Sequence, residues 1–406
     1  MKIILINIFI FSSLLFASIS GTVIDNKTNM PIKNAYISDS IHGIRADKNG
    51  NFYLKSKEKV FHIKAYGYKP FKIKCNKKGM KYFLTPIEVK ALYLTFWGAS
   101  NSSKRLKKLL KVIKNTQINA IVVDIKNEYG STMFYTSFKQ ANSYGAKDKR
   151  TNKNIKKFMK LMKDNNIYTI ARIVTFKDEI QASYNKEYAI KKKNGEIWRN
   201  HDNMAWVDPF DIRSHKYTIR IAEEAAKVGF DEINFDYIRF PARDGLVYSK
   251  KNTQNNRVKA IEDFLILAQK KLMKYGVFIS VDTYGNICWS KDDNGIGQTI
   301  SSFKNHTDYI APMLYPSGFA SGSFHFQYPS QYPYDVVYRS LKNITDKVDI
   351  NRIRPWLQYF RDYKSKKIKY TKKEIQQQIK AAEDIGSNGW MMWSPSSRYS
   401  IKYLTK

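Results

Sequence analysis

Over residues 21–86 apolar and polar side chains alternate in short runs separated by turn signals. GTVIDNKTNMPIKNAYISDS alternates around Asn and Pro, and RADKNGNFYLKS sets Asn49-Gly50 just ahead of a strand. VFHIKAYGYKPFKIK repeats with period two, which sends successive side chains to opposite faces of a pleated strand. This pattern predicts an all-β sandwich of about seven short strands, too small to enclose a deep active site.

From Glu88 onward the period changes. Short apolar runs alternate with Lys-rich amphipathic stretches, the pattern of parallel βα units buried on both faces. The predicted strands are 91–97, 120–125, 168–175, 232–237, 277–283, 309–315, 354–360 and 389–394. Helices are predicted over 103–114, 154–164, 214–228, 256–275 and 372–385. Eight such units predict an α/β fold, a (β/α)8 TIM barrel over residues 87–406. A doubly wound open sheet is the competing architecture. It would carry a glycine-rich phosphate loop, and neither GxGxxG nor GxxxxGK[ST] occurs.

Ahead of both units, residues 1–20 read MKIILINIFIFSSLLFASIS: a basic Lys2, an apolar run, then the small residues Ala17, Ser18 and Ser20. That is the pattern of a secretory signal peptide. The expected location is therefore the periplasm or beyond. No second apolar run reaches membrane length, so no membrane insertion is expected after cleavage.

Composition adds two constraints. The 70 Lys and Arg against 35 Asp and Glu give a formal charge of +35, which suits an acidic partner such as an acidic polysaccharide. Lysine-rich codon usage spread over solvated helix faces produces the same excess. No nucleic-acid-binding motif accompanies it, so nucleic acid is not an expected partner. Cys75 and Cys288 lie far apart and predict no disulfide. The six histidines form no HxH or HExxH pattern, so neither a metal nor another cofactor is expected.

Barrels of this type keep their chemistry at the C-terminal ends of the strands. The stretch GFDEINFDYIRFP, residues 229–241, puts Asn234 and Asp236 on one face of the fourth strand, with Tyr237 and Arg239 just beyond. Asp124 ends the second strand, Arg172 lies on the third, and Asp282 followed by Tyr284 ends the fifth. Tyr315, Gln358, Trp390 and Trp393 complete the expected rim from the last three strands. Glycoside cleavage needs one carboxylic acid to protonate the leaving oxygen and a second carboxylate opposite it. Asp236 and Asp282, at equal height on neighbouring strands and each followed by Tyr or a Tyr-bearing loop, are the natural catalytic pair. A lone strand-end Asp equally well bonds a loop amide or an arginine. The other rim residues are expected to bind substrate, a carbohydrate polymer that is anionic if the basic charge is functional. Arg172, Asn234 and Tyr237 are assigned to orienting Asp236.

Two resemblances sharpen this reading. GxVxD…PIxxAxI…DxxGxFxL…VxAxGY resembles the carboxypeptidase-regulatory-like, transthyretin-like sandwich, which implies an accessory role for residues 21–86. VVDIKNEYG, ARIVTFKD, WVDP, GFDEINFDYIRFP, SVDTYG, YIAPMLYPSGF and GWMMWSP resemble a bacterial glycosyl hydrolase domain family, a barrel distantly similar to the alpha-amylase superfamily. The resemblance implies Asp236 as nucleophile and Asp282 as acid/base. Amylase-like barrels have Arg where this chain has Asn234, and usually Glu where it has Asp282. FDEINFDYI is also similar to the fourth-strand motif of chitinase-type barrels, but the proton donor would there fall on Ile238, which cannot donate. The expectation is a secreted glycoside hydrolase. The alternative is a catalytically inactive carbohydrate-binding barrel of the cell envelope.

Overall fold

The computed structural model describes residues 18–74, 79–364 and 367–405. Most of the expected signal peptide, and Cys75, lie outside them.

Seven strands form the N-terminal unit: β1 (Ser18–Asp25), β2 (Tyr36–Ser38), β3 (Gly43–Arg45), β4 (Asn51–Lys55), β5 (Phe61–Lys64), β6 (Phe71–Ile73) and β7 (Met80–Leu84). They make two small sheets, ordered β4-β1-β7 and β3-β2-β5-β6, antiparallel except for the parallel β1–β7 pair. Alternation does the folding here: Phe52 and Leu54 of β4 face inward, joining Ile19, Val23, Ile37, Ile63 and Leu84 in one core. The Asn49-Gly50 turn works because Gly50 sits at φ +74°, where a Cβ would meet the Val23 carbonyl at 2.6 Å. Strand β1 starts inside the stretch expected as leader, and its Ile19 is fully buried.

Eight parallel strands then close into a barrel: β8 (Val89–Leu94), β9 (Ala120–Lys126), β10 (Tyr168–Val174), β11 (Glu232–Asp236), β12 (Phe278–Tyr284), β13 (Tyr309–Met313), β14 (Trp356–Gln358) and β15 (Gly389–Trp393). Each matches a predicted strand in order. Several stop short of the predicted ends, because residues such as Tyr237 at φ +49° turn out of the ladder. Inward side chains, among them Ala91, Val122, Ile170, Phe278, Ala311 and Met391, fill the barrel. Their outward neighbours pack beneath the helices. Helix Lys104–Lys114 is capped by the Ser103 hydroxyl and buries Leu106, Leu109, Val112 and Ile113. Helix Ile212–Val228 ends at Gly229, left-handed at φ +105°, and so delivers the chain into β11. Its N-cap is Asp211; Asp208 instead accepts from the amides of Phe210 and Ser249. Among the described residues no helix is long and apolar enough to cross a membrane.

The parity of β15 corrects one expectation. Met391 and Trp393 point into the barrel, so Trp390 points out, fully buried among the helices and away from the rim.

The N-terminal sheets dock under the barrel, at the end opposite the rim. Lys64 Nζ donates to the Val277 carbonyl at 3.0 Å and to Asp308 at 2.8 Å. The Gly67 amide donates to the Tyr309 hydroxyl at 3.1 Å, and Tyr66 packs against the inward cluster from below. Above that floor lies a buried ion pair, Arg354 to Glu232 at 2.8 Å, with Tyr168 also donating to Glu232.

Candidate active site

The rim of the barrel is organised around one guanidinium. Arg172, on β10, is almost fully buried. Its Nε donates to Asp236 Oδ2 at 3.0 Å, its Nη1 donates to Asp124 Oδ1 at 2.6 Å, and its Nη2 lies 3.4 Å from Glu128. Strand registry explains the meeting: Arg172 is opposite Asp124 of β9 on one side and Asn234 of β11 on the other. Phe235 pairs with Val281, which brings Asp236 level with Asp282. Aromatic faces close the guanidinium from the β15 side, with Trp393 at 5.1 Å and Tyr93 at 5.9 Å.

Asp282 lies deeper, with 2% exposure against 7% for Asp236. Its Oδ1 accepts from Trp356 Nε1 at 2.7 Å and from Asn234 Nδ2 at 2.8 Å. Its Oδ2 is 3.9 Å from Arg172 Nε, the same nitrogen that lies 3.0 Å from Asp236 Oδ2. The two Oδ2 atoms are therefore no further apart than those two distances together. That is well inside the range of about 10 Å in which two carboxyl groups can act on one glycosidic bond.

Four carboxyl groups, Asp124, Glu128, Asp236 and Asp282, thus surround a single cation. Negative charge in excess of its counterion favours retention of a proton. Burial, reinforced by the Asp236 charge, holds the Asp282 carboxyl well above its ordinary range. Burial also pushes Asp124 up to about 6, against the opposing pull of Arg172. Burial works against the Arg172 charge, but Asp124 and Asp236 hold it firmly protonated. Tyr315 is pushed far up by burial, then by Asp282 and Asp236, so its phenol stays protonated beside both acids.

Asp236 receives one further bond, from the Tyr237 amide to Oδ1 at 2.6 Å. Tyr237 is left-handed at φ +49°, a backbone strain of about 1–3 kcal/mol for a non-glycine residue. Such strain just after a rim carboxylate fits its fixed presentation to the cleft.

The expected residues do not all share one place. Asp124, Arg172, Asp236, Asp282, Tyr237, Tyr315 and Trp393 lie close together at the rim. Asn234 is present but serves another partner: both bonds from its Nδ2 go to β12, to Asp282 and to Ser280 Oγ at 3.1 Å, so it holds Asp282 rather than Asp236. Arg239 and Tyr284 stand just outside, facing a side cleft with Trp206. Gln358 is at the rim, but its amide is fully engaged by Ser317 and the Phe360 carbonyl, and it ties loops together instead of meeting ligand. Trp390, as noted, is not at the rim.

Two residues were missed. Tyr93 donates to Asp124 Oδ2 at 2.5 Å and stacks on Trp393 at 3.9 Å, and Trp356 holds Asp282. Period two carried the signal, since each is an inward position of its strand. Attention to the last residue of each strand hid them. Asp178, in the loop after β10, is buried against Lys126 at 2.8 Å and caps helix Glu179–Tyr184.

A closed (β/α)8 barrel with an acid cluster at the C-terminal ends of its strands defines the class, a barrel built for chemistry at its rim. Residues 91–399 match the family described as "Putative glycosyl hydrolase domain", and the chain belongs to that family. Among solved structures, a hypothetical protein from Ruminiclostridium thermocellum is 38% identical over 47% of this chain and 96% of its own, with TM-score 0.42. The glycoside hydrolase domain of PgaB (BpsB) from Bordetella bronchiseptica is 12% identical, covering 77% of this chain and 95% of its own, with TM-score 0.54. A chitinase from Bacteroides thetaiotaomicron is 12% identical, over 78% and 95%, with TM-score 0.49. No curated protein sequence matches the chain.

Proposed function

We propose that the protein is an exported glycoside hydrolase cleaving a poly- or oligosaccharide with two carboxylates. The observation that carries this is the pairing of Asp236 with the more deeply buried Asp282 about one guanidinium. Asp236, the more accessible of the two, attacks the anomeric carbon as the bond to the leaving oxygen breaks. The proton on Asp282 passes to that oxygen, and water later hydrolyses the glycosyl ester formed with Asp236. Arg172 orients Asp236, and Trp393 with Tyr315 lines the sugar cleft. Exposed aromatic rings at or just past the strand ends, Trp97, Tyr129, Tyr284 and Tyr363, supply flat faces for further sugar units. A nucleophile on the fourth strand also agrees with the resemblance of the motifs to alpha-amylase-like barrels.

A second reading concerns the proton donor alone. The Glu128 side chain is 30% exposed and also meets Arg172, which gives it better access to a leaving oxygen than Asp282 has. In that reading Asp282 holds Asp236 and Glu128 donates.

The N-terminal sheets, read as a transthyretin-like accessory domain over residues 21–86, brace the barrel floor and take no part in catalysis. Burial of Ile19 in their core favours leader removal ahead of Ser18 over removal after Ser20.

The test is reducing-sugar release by the full chain. Asp236→Asn removes release while calorimetric binding of the same glycan survives; unchanged turnover sinks the mechanism. Wild-type binding without release, lost in Trp393→Ala, identifies the inactive sugar-binding barrel instead.

A further inference from the structure

Beside the acid cluster, on the far side of Tyr237, a cleft of about 810 Å³ opens between the loops after β10, β11 and β12. Its lining is strongly basic: Lys192, Arg199, His201, Arg239 and Arg243, against the single acid Asp244. Lys192 and Arg199 pair with Glu196 and Glu179, and His201 lies against Asp202. Arg239 is different. Its guanidinium lies over three rings, Trp206 at 4.9 Å, Tyr284 at 4.9 Å and Tyr237 at 5.2 Å. Nη1 donates to the Phe240 carbonyl at 3.0 Å. Among the described residues no carboxylate reaches Arg239 or Arg243 within ion-pairing distance.

An arginine held flat by aromatic faces keeps its edge of N–H donors free for a planar or tetrahedral anion. Held there, partly buried and without a counterion, it recovers part of its lost charge solvation from the rings and the Phe240 carbonyl, and an arriving anion adds to that. Position decides where that anion sits. Tyr237 joins the two sites: its amide bonds Asp236, and its ring carries Arg239. A group bound on Arg239 therefore lies next to the Asp236 cluster, with Tyr237 between the two.

We propose that this cleft is a subsite for an acidic sugar, its anionic substituent bound by Arg239 with Arg243 and its ring stacked on the exposed Tyr284. The proposal rests on the glycan-cleaving reading and narrows it to acidic glycans. Carboxylate, sulfate and phosphate share the required chemistry.

Binding by affinity electrophoresis separates these sources and does not depend on turnover. The probes are polygalacturonate, heparin and a glycerol-phosphate polymer, the first two also in carboxyl-reduced and desulfated form. A protein of charge +35 binds any polyanion weakly, so the comparison is with Lys107→Gln, an exposed lysine of helix Lys104–Lys114. Arg239→Gln is expected to weaken one acidic polymer roughly 10- to 100-fold, as for loss of a charge-assisted bond, and Lys107→Gln less than about 2-fold. Arg243→Gln, at an exposed side chain with no hydrogen bond or ion pair among the described residues, gives a smaller loss on the same polymer. Equal effects of Arg239→Gln and Lys107→Gln on every acidic polymer overturn the subsite. So does an equal loss on the neutralised form, which marks Arg239 as a support for Tyr237 only. If binding follows Arg239 yet no polymer is cleaved, the subsite stands and the hydrolase reading fails.

Discussion

Arg172 and Asp236 are joined by Nε and Nη2 converging on one oxygen, Oδ2, while the opposite corner of the same guanidinium holds Asp124. The planar fork is what lets one cation reach acids on two strands. Lysine offers a point charge on a flexible stem and cannot reach both. Arg172→Lys is therefore expected to lower kcat by at least about 100-fold, and to cost roughly 3–5 kcal/mol by leaving a buried acid without its cation. The stability loss shrinks between pH 7 and pH 5, because acids deprived of a cation take up protons more readily and cease to repel. Urea unfolding at the two pH values measures this; an equal loss at both would remove the charge explanation.

Trp356 gives a way to tell which acid donates the proton. Its indole N–H favours the ionised form of Asp282, the group whose proton burial retains. A general acid works only while protonated, so rate falls as pH rises through its pKa. Trp356→Phe removes the bond and keeps most of the packing, which pushes Asp282 higher still. The alkaline limb of kcat/KM against pH should move up by about 0.5–1 unit, the worth of one hydrogen bond. An unmoved limb, with a limb that vanishes in Glu128→Gln, assigns the proton to Glu128.

Strand order and the meeting of Asp236 with Asp282 at one rim were legible in the sequence because burial on both faces writes continuous apolar runs, and strand-end acids stand out against them. What a side chain bonds to was less legible. Asn234 lies two residues before Asp236 on the same face, yet its amide turns sideways to β12, a choice set by inter-strand registry. Gln358 looks like a ligand-binding amide until the Ser317 loop folds over it. Trp390 and Trp393 look alike in GWMMWSP, and only parity separates core from cleft. The aromatic support of Arg239 needs Trp206, a residue from a different loop, and no local pattern announces it.

The floor of the barrel offers the complementary test, because its buried charges should matter for folding alone. Arg354 Nη1 reaches both oxygens of Glu232, at 3.0 and 2.8 Å, and Tyr168 donates to the same carboxylate. Both partners are fully buried, so breaking the pair strands a charge, whereas removing both does not. Glu232→Gln or Arg354→Met alone should cost about 3–5 kcal/mol, and the double variant Glu232→Gln/Arg354→Met clearly less than the two singles together. Glu232 opens β11 and Asp236 closes it, so the acids at the rim stay in register in any variant that folds. The kcat per folded molecule should then hold within about 2-fold, as expected for residues at the N-terminal face of a barrel. Additive losses in the unfolding cycle would show that the pair is not coupled. A fall in kcat matching that of Arg172→Lys would show that floor and rim are not separable.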